Sequence, residues 1–182
     1  MNSYVFISER LGFRTWTNAD LDQFSALNAN ELVMRYFPKT LTRNESLHFL
    51  DRLIGHQEKH NYCYFATEIL ETGEFIGFIG LAYQTYATDF TPATDIGWRL
   101  KPSAWNKGYA TEGAKTVLNY AFNKLNLDHV IATCTIQNKN SENVMRKIGM
   151  TKMGEFMHPN LKRFSEFENC IYYQILSSEF EA

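Results

Sequence analysis

The sequence predicts a mixed α/β fold, and three observations support that prediction. Runs rich in β-branched and aromatic residues alternate with longer segments whose apolar residues recur at helical spacing. Residues 95–112 join the two patterns, because a strand-like run turns there into an amphipathic helix. A chain of 182 residues buries roughly 70% of its unfolded surface, and no segment is typical of a linker. We therefore expect one domain over residues 1–182.

The N-terminal half is expected to combine two helices with several strands. Thr17 or Asn18 caps the first helix, and Thr42 caps the second. Pro38 interrupts the helical pattern between them, because proline is poorly tolerated inside a helix. The elements expected here are a strand at 10–16, a helix after residue 18, a helix at 43–59, and strands at 63–70, 75–83 and 95–100.

The C-terminal half begins with the strongest helical pattern in the chain, at residues 109–125. The β-branched run that follows, at 127–135, predicts a buried strand. This strand is parallel to the one at 95–100 if the intervening helix is its crossover. Gly149 is a suitable C-cap for the next helix. The remaining expected elements are a helix at 141–147 and strands at 150–157 and 169–175.

Charge and composition exclude several classes of partner. The net charge is −2 and no block of like charges stands out, so nothing favours nucleic acid. No apolar run approaches the roughly 20 residues of a membrane span, and the polar start at residues 1–3 lacks a signal-peptide pattern. The three cysteines are far apart, which favours reduced thiols over disulfides or zinc. We expect a cytoplasmic protein with no nucleic-acid or membrane partner.

The turn that enters the helix at residue 109 gives the clearest functional signal. The first N–H groups of a helix lack internal partners, so a strand leading into them creates an anion site. Gly108 allows close backbone approach, and Asn106 tolerates the left-handed conformation. The phosphate-binding patterns Gly-x-x-x-x-Gly-Lys-Ser/Thr and Gly-x-Gly-x-x-Gly do not occur in the sequence. The turn therefore indicates a diphosphate site of another kind.

Three segments carry a family resemblance. The run Trp105-Asn106-Lys107-Gly108-Tyr109-Ala110 is similar to the Gln/Arg-x-x-Gly-x-Gly/Ala signature of the GNAT superfamily of N-acetyltransferases. Residues 138–150 are similar to the family's Asn-x-x-Ser-x-x-(aliphatic)-x-x-Lys-(aliphatic)-Gly-(apolar) segment. Residues 9–38 resemble the opening of the branch that includes the ribosomal-protein N-terminal-alanine acetyltransferases. The resemblance covers almost the whole chain.

The resemblance implies a fold and a cofactor. It implies a mostly antiparallel sheet of six to seven strands, with helices on both faces and a parallel pair of fourth and fifth strands splayed for coenzyme A. The cofactor is acetyl-CoA, with the diphosphate on the turn, the pantetheine arm on the fourth strand, and Asn138 bonded to a pantetheine amide. The cofactor-binding residues expected on this basis are Trp98, Arg99, Leu100, Trp105, Asn106, Lys107, Gly108, Tyr109, Ala110, Thr111, Asn138 and Ser141.

The groups that would move protons are less clearly marked. Many relatives carry a tyrosine that protonates the leaving thiolate, and the matching residue here is Met145, which has no proton to donate. Ser141 is the candidate acid in its place, although it also suits an ordinary first-turn helix position, and water is a further alternative. Asp95 is the candidate base. The alternative interpretation of Asp95, which its short side chain favours, is a strand-edge carboxylate or a partner for Arg99 on the same face.

The acceptor is expected to be one primary amine, on a small molecule or a protein N-terminus, in an apolar pocket. No Cys or Ser/His pair suggests a covalent enzyme intermediate, so we expect direct attack. A non-catalytic acyl-CoA-binding or sensing module is the alternative function. In either case the protein is expected to be a monomer or a homodimer. No metal is expected, because His56 and His60 lack a third ligand. The candidate acceptor residues are Trp16, Met34, Tyr36, Phe37, Tyr86, Phe90 and His158.

Overall fold

A computed structural model describes residues 3–180 of the chain. Its strands form one sheet of eight, in the order β1-β2-β3-β4-β5-β6-β8-β7. Neighbouring strands are antiparallel except β5 and β6. The strands are β1 Phe6–Ile7, β2 Leu11–Arg14, β3 Tyr64–Ile69, β4 Phe75–Gln84, β5 Ala93–Leu100, β6 His129–Thr135, β7 Thr151–Met157 and β8 Asn169–Leu176.

Six α-helices within residues 3–180 connect these strands. Thr42 caps α3 with a complete capping box, and Asn138 caps α5 through its side chain. Short 3₁₀ turns precede α1, lead from β5 toward α4, and flank the last strand. The helices are α1 Leu21–Ala29, α2 Glu31–Met34, α3 Arg43–His60, α4 Tyr109–Asn123, α5 Lys139–Lys147 and α6 Ser165–Glu168.

Helices cover both faces of the sheet. Phe24 of α1 and Phe49 of α3 pack their rings on Phe78 of β4. Helix α4 lies on the opposite face, where a Cβ at Gly113 would stand 2.4 Å from Ile79 Cδ1. Phe78 and Ile79 are consecutive residues of one strand, so their side chains point to opposite faces. The two faces are therefore separate apolar layers, both of them extensively buried.

The parallel pair β5/β6 separates soon after it forms. These strands are bridged at Asp95 and Ile131, and no bridge joins them beyond that point in the described register. Strand β5 continues to Leu100, while β6 continues to Thr135 and pairs with β8 on its other side. The divergence leaves an opening in the middle of the sheet.

The mixed fold and its splayed parallel pair are confirmed, with one correction to the strand count. The sheet has eight strands rather than six to seven, because residues 6–7 form an additional edge strand paired with β2. Two residues are too few to produce a detectable alternation, so the pattern does not reveal this strand. As a result, the parallel pair consists of the fifth and sixth strands.

Candidate functional site

A cleft of about 620 Å³ opens where β5 and β6 diverge. Its walls come mainly from the segment after α1, strand β5, the start of α4, the end of β6 with α5, and the turn after β7. Single side chains from α3, β3, β4 and β8 complete them: Phe49, Tyr64, Phe78 and Cys170. Predicted site residues that line it are Tyr36, Phe37, Asp95, Trp98, Arg99, Leu100, Trp105, Asn106, Gly108, Tyr109, Ala110, Thr111, Asn138, Ser141 and His158.

The backbone of Trp98 points into the opening between the strands. Lys101 N donates to Ile76 O, and the same register pairs Trp98 with Ile79. Opposed residues in an antiparallel ladder alternate between bonding each other and turning away. Ile79 N turns toward Thr67 Oγ1, at 3.1 Å, so Trp98 belongs to a pair that turns away. Its N–H and C=O therefore face β6 at a level where β6 has already diverged.

The turn into α4 presents a set of free backbone donors. Asn106 and Gly108 both adopt the left-handed conformation, at φ +59° and +82°. Glu112 N makes the first backbone bond of the helix, to Gly108 O. The N–H groups of residues 109–111 precede that bond, so they have no intrahelical partner and lie at the positive end of the helix dipole. This geometry suits a diphosphate.

Hydrogen bonds from Ser8 and Arg10, near the start of the chain, to Glu112 hold this turn in place; these three residues are called the buttress below. The Glu112 carboxylate accepts from Ser8 Oγ at 2.6 Å and from Arg10 N at 2.8 Å and Nε at 2.6 Å. Arg10 Nη1 also donates to Lys107 O at 3.1 Å. On the other side, Trp105 Nε1 donates to Leu100 O at 2.8 Å. The left-handed turn is thus fixed at both ends before any ligand arrives.

Helix α5 brings Asn138, Ser141 and Met145 to the cleft wall. Asn138 Oδ1 accepts from Ser141 N at 3.2 Å, so the asparagine oxygen caps the helix. Met145 lies one turn further along and is buried. Ser141 is therefore the hydroxyl of this helix that lines the cleft, and Met145 contributes an apolar surface.

Asp95 is a buried carboxylate held by two neighbours. Tyr64 Oη donates to its Oδ1 at 2.6 Å, and Gln84 Nε2 donates to its Oδ2 at 3.1 Å. Burial raises the pKa of Asp95 to about 6, even though both hydrogen bonds stabilise the ionised form. Such a carboxylate changes protonation close to neutral pH and lies on the cleft wall, which suits a proton acceptor.

Arg99 occupies the same face of β5 as Asp95, yet no ion pair joins the two in the described structure. Its Nη1 donates to Asn28 Oδ1 at 2.6 Å. Its guanidinium carbon lies 4.3 Å from the ring centre of Phe37 and 5.2 Å from that of Phe78. Burial lowers the pKa of Arg99 to about 10, a value at which it stays charged at neutral pH.

Five predicted residues do not line the cleft. Trp16 and Met34 are buried, and the indole of Trp16 packs at a tilt against Phe24 and donates to Tyr64 O. Lys107 provides a backbone carbonyl to Arg10 instead. The remaining two belong to an aromatic cluster behind the cleft wall, in which Tyr86 packs on His158 and Phe90 on Tyr172.

The cysteines and histidines give no nucleophile or metal centre. Cys134 and Cys170 reach the cleft wall, but burial raises their thiol pKa values to about 12 and about 11. Both are therefore protonated at neutral pH. His56 Nε2 accepts from Tyr83 N. Residues 3–180 contain no cluster of three or more metal-ligating His, Cys, Asp or Glu side chains.

Sequence reasoning missed Tyr64 and Gln84, which hold Asp95 from strands β3 and β4. One signal for Tyr64 was available. Gly80 and Gly97 are paired across β4 and β5, and a Cβ at Gly97 would lie 3.0 Å from Tyr64 Cε1. Two opposed glycines in neighbouring strands leave space for a ring from the next strand. Arg35 and Lys147 also line the cleft, although neither was among the expected site residues. Lys147 is the lysine of the segment at residues 138–150.

No helix within residues 3–180 has the length and apolar character needed to cross a bilayer.

Comparison with known proteins gives a consistent result. The family described as acetyltransferase (GNAT) domain matches residues 10–151. The uncharacterized N-acetyltransferase YnaD of Bacillus subtilis (strain 168) is 30% identical over 173 residues, 94% of this chain and 96% of the relative. A GNAT-family acetyltransferase structure from Bacillus anthracis has a TM-score of 0.76 at 29% identity, covering 95% of this chain and 98% of its own.

A structure of ribosomal-protein-S5-alanine acetyltransferase from Vibrio fischeri has a TM-score of 0.69 at 19% identity. It covers 97% of this chain and 98% of its own. The likeness extends over the whole sheet, and at this identity it shows a shared fold.

Proposed function

Because the chain belongs to the GNAT family of acetyltransferases, we propose that it transfers the acetyl group of acetyl-CoA directly to a primary amine. The observation that carries the proposal is the continuity of one cleft. The free N–H groups at the start of α4, the backbone of Trp98 and the buried carboxylate of Asp95 all line it. The N–H groups of residues 109–111, called the cradle below, would bind the diphosphate, the Trp98 backbone would lie beside the thioester, and Asp95 would accept a proton. All three line the same cleft.

The donor half of the cleft would hold acetyl-CoA mainly through backbone groups. The N–H groups of residues 109–111 suit the diphosphate, and Gly108 provides the close approach. The Trp98 N–H and C=O are suited to hydrogen bonds with the amides of the pantetheine arm. The arm would then pair with β5 in the way that an additional strand pairs with a sheet edge. Acetyl-CoA supplies an acetyl thioester, whose carbonyl oxygen gains negative charge during attack. A positioned N–H is worth on the order of 3 kcal/mol to that step.

The chain's own side chains would move the two protons. The attacking amine nitrogen forms its bond to the acetyl carbon and loses a proton, which Asp95 accepts directly or through one water. The bond between that carbon and the sulfur breaks, and the thiolate takes a proton from Ser141 Oγ or from water. A thiol with a pKa of about 8.5 is a tolerable leaving group, so the second transfer is the less demanding one.

The test measures donor binding and thiol release side by side. Acetyl-CoA is titrated onto the protein, and thiol release is then followed with a panel of N-terminal peptides and free amines. Turnover with any amine supports the enzyme, and the best substrate separates a protein N-terminus from a small-molecule acceptor. Tight binding without turnover would favour the acyl-CoA-sensing alternative, which Met145 makes reasonable. Absence of binding would contradict both functions.

A further inference from the structure

The charge along the cleft is unbalanced. Among the described residues that line it, the one carboxylate is that of Asp95, whereas Arg35, Arg99 and Lys147 are cationic. A polycationic acceptor such as a polyamine would need several carboxylates in this region. The cleft instead has an excess of positive charge on its walls.

Part of that excess lies where the coenzyme's diphosphate would not reach it. Side chains of Arg99 and Phe78 share a face of the sheet, the face covered by α1 and α3. The free N–H groups of the cradle belong to α4, which packs on the opposite face against Ile79. Asp95 is on the Arg99 side, because residues 95 and 99 point the same way along a strand. Arg99 therefore belongs to the acceptor side of the cleft.

The Arg99 guanidinium is incompletely satisfied there. One nitrogen donates to the amide of Asn28, and Nε is buried without a partner in the described part of the chain. The structure places no carboxylate of residues 3–180 in an ion pair with it. The contrast with Arg14 is informative, since that buried arginine is bonded to both Asp20 and Glu68. The Arg99 side chain is half-buried, and buried polar nitrogens are normally hydrogen-bonded, so an unbonded Nε on a cleft wall points to a ligand.

We propose that Arg99 binds a carboxylate on the acceptor, and hence that the acceptor is a primary amine that also bears a carboxyl group. The inference rests on the proposed acetyl transfer and narrows its substrate class. A guanidinium matches a carboxylate through two parallel hydrogen bonds. Phe37 and Phe78 beside it exclude water, which strengthens those bonds. The same fork would be left unpaired by an amine that ends in a neutral group.

A purely structural role for Arg99, joining β5 to α1 through Asn28, makes a different prediction. Loss of a structural link of this kind would lower kcat/KM for all acceptors by a similar factor. Loss of a carboxylate contact would weaken only acceptors that carry the carboxylate. The decisive quantity is therefore the ratio of kcat/KM for a carboxylate to that for its matched carboxamide, because general damage to the fold cancels in it.

The experiment measures that ratio in the wild type and in variants. The amines are glycine, β-alanine, 4-aminobutyrate and 6-aminohexanoate, each with its carboxamide, and spermidine is the polycation. We expect a carboxylate preference of about 10- to 100-fold for the best length. In Arg99→Gln it falls to near one, and in Arg99→Lys it is reduced but retained. Arg35→Gln is the matched charge-loss control, and its preference persists.

Several results would overturn the inference. These are equal turnover of carboxylates and carboxamides, equal losses for both in Arg99→Gln, or collapse of the preference in Arg35→Gln instead. If circular dichroism shows that Arg99→Gln is unfolded, the ratio of kcat/KM for a carboxylate to that for its carboxamide in Arg99→Lys becomes the test. A ratio equal to that of the wild type would then contradict the proposal. If no amine is acetylated, the proposed function has failed separately. Titration of the same pairs then decides, since binding of carboxylates by wild type and not by Arg99→Gln supports the site, and its absence rejects it.

Discussion

At the scale of single residues, Asp95 shows how strand geometry produces a carboxylate suited to proton transfer. Burial disfavours its ionised form, while Tyr64 and Gln84 partly offset that cost by donating to the two oxygens. The result is a group that is ionised at neutral pH but holds its proton far more readily than an exposed aspartate. Its reactivity thus depends on the two strands beside it.

The ionisation of Asp95 should be visible in the pH dependence of activity. With a pKa of about 6, the carboxylate is protonated below that pH and ionised above it. We expect kcat to rise through pH 6 in the wild type and Asp95→Asn to lose this limb, keeping only the limb from amine deprotonation. In Tyr64→Phe the limb should move to higher pH, because the hydrogen bond from Tyr64 lowers the pKa of Asp95 and its removal raises that pKa. A wild-type limb that survives in Asp95→Asn would assign it to another group.

Ser141 is expected to act on turnover and not on donor binding. Its hydroxyl lines the cleft, whereas its backbone N–H carries the cap of α5 and is unaffected by substitution. Ser141→Ala should lower kcat on the order of 100-fold and leave the Kd for CoA unchanged. Asn143→Ala, on the same helix and the same cleft wall, is the control. Equal rates for wild type and Ser141→Ala would leave water as the proton source.

At the scale of elements, the strand-turn-helix from β5 to α4 combines two left-handed residues with a free helix start. Gly108→Val should weaken CoA binding at least tenfold, because the side chain occupies the approach to the N–H groups and strains φ at +82°. Gly73→Val is a matched control, since Gly73 is also left-handed, at φ +68°, with open space around it. Each change costs about 1–2 kcal/mol of stability. Equal CoA affinity in both variants would contradict the cradle.

Arg10 and Glu112, which hold this turn in place, give a prediction in which two effects on CoA affinity oppose each other. Arg10→Gln should raise the Kd for CoA several-fold, because the bonds to Glu112 and to Lys107 O hold the turn in place. Glu112→Gln removes a negative charge near the diphosphate position and also weakens the buttress. If preorganisation dominates, Glu112→Gln weakens binding as well. Tighter CoA binding in Glu112→Gln, measured by titration, would show that charge alone matters.

What the sequence could predict depends on whether the determinants are local. The left-handed turn before α4 was predictable because Asn106 and Gly108 adjoin the helix that they start. The Asp95 site was only half predictable, because Tyr64 and Gln84 reach it across strands whose register is fixed by tertiary pairing. For the same reason, the aromatic residues Trp16 and Tyr86 fitted a pocket by composition but pack elsewhere. Aromatic side chains serve cores as readily as sites.

At the scale of the whole molecule, the sheet would separate the two substrates of the proposed reaction. Helix α4 and its cradle lie on one face, and Arg99, Asp95 and the rings from α1 and α3 lie on the other. The divergence of β5 from β6 is the place where the two faces communicate. A thioester held at Trp98 can therefore meet an amine that enters from the acceptor face. The arrangement requires the N-terminal helices to be fixed firmly against the sheet.

Fixation of those helices depends on a buried network around Arg14. Its guanidinium bonds both oxygens of Asp20, just before α1, and also Glu68 of β3. Burial opposes ionisation of Asp20, but hydrogen bonds from Arg14 and Thr17 outweigh it and lower the pKa. Because the folded pKa is lower than the unfolded one, the stabilisation is present above about pH 4 and is lost as pH falls below it.

Removing one partner of this network should cost far more than removing a surface pair. Asp20→Asn leaves the Arg14 charge partly uncompensated in a buried site, so we expect the free energy of unfolding to fall by about 3–5 kcal/mol. Asp22 lies two residues after Asp20 and forms an exposed ion pair with Arg43. Asp22→Asn breaks this pair and should lower the free energy of unfolding by at most about 1 kcal/mol. Urea titrations at pH 7 and pH 3 give both values. The difference between the variants should narrow at pH 3, because the Asp20 carboxyl of the unfolded chain, with its ordinary pKa of about 3.9, binds a proton there and part of the stabilisation is lost. A difference that is small at both pH values would show that packing of α1 and α3, and not the network, holds these helices against the sheet.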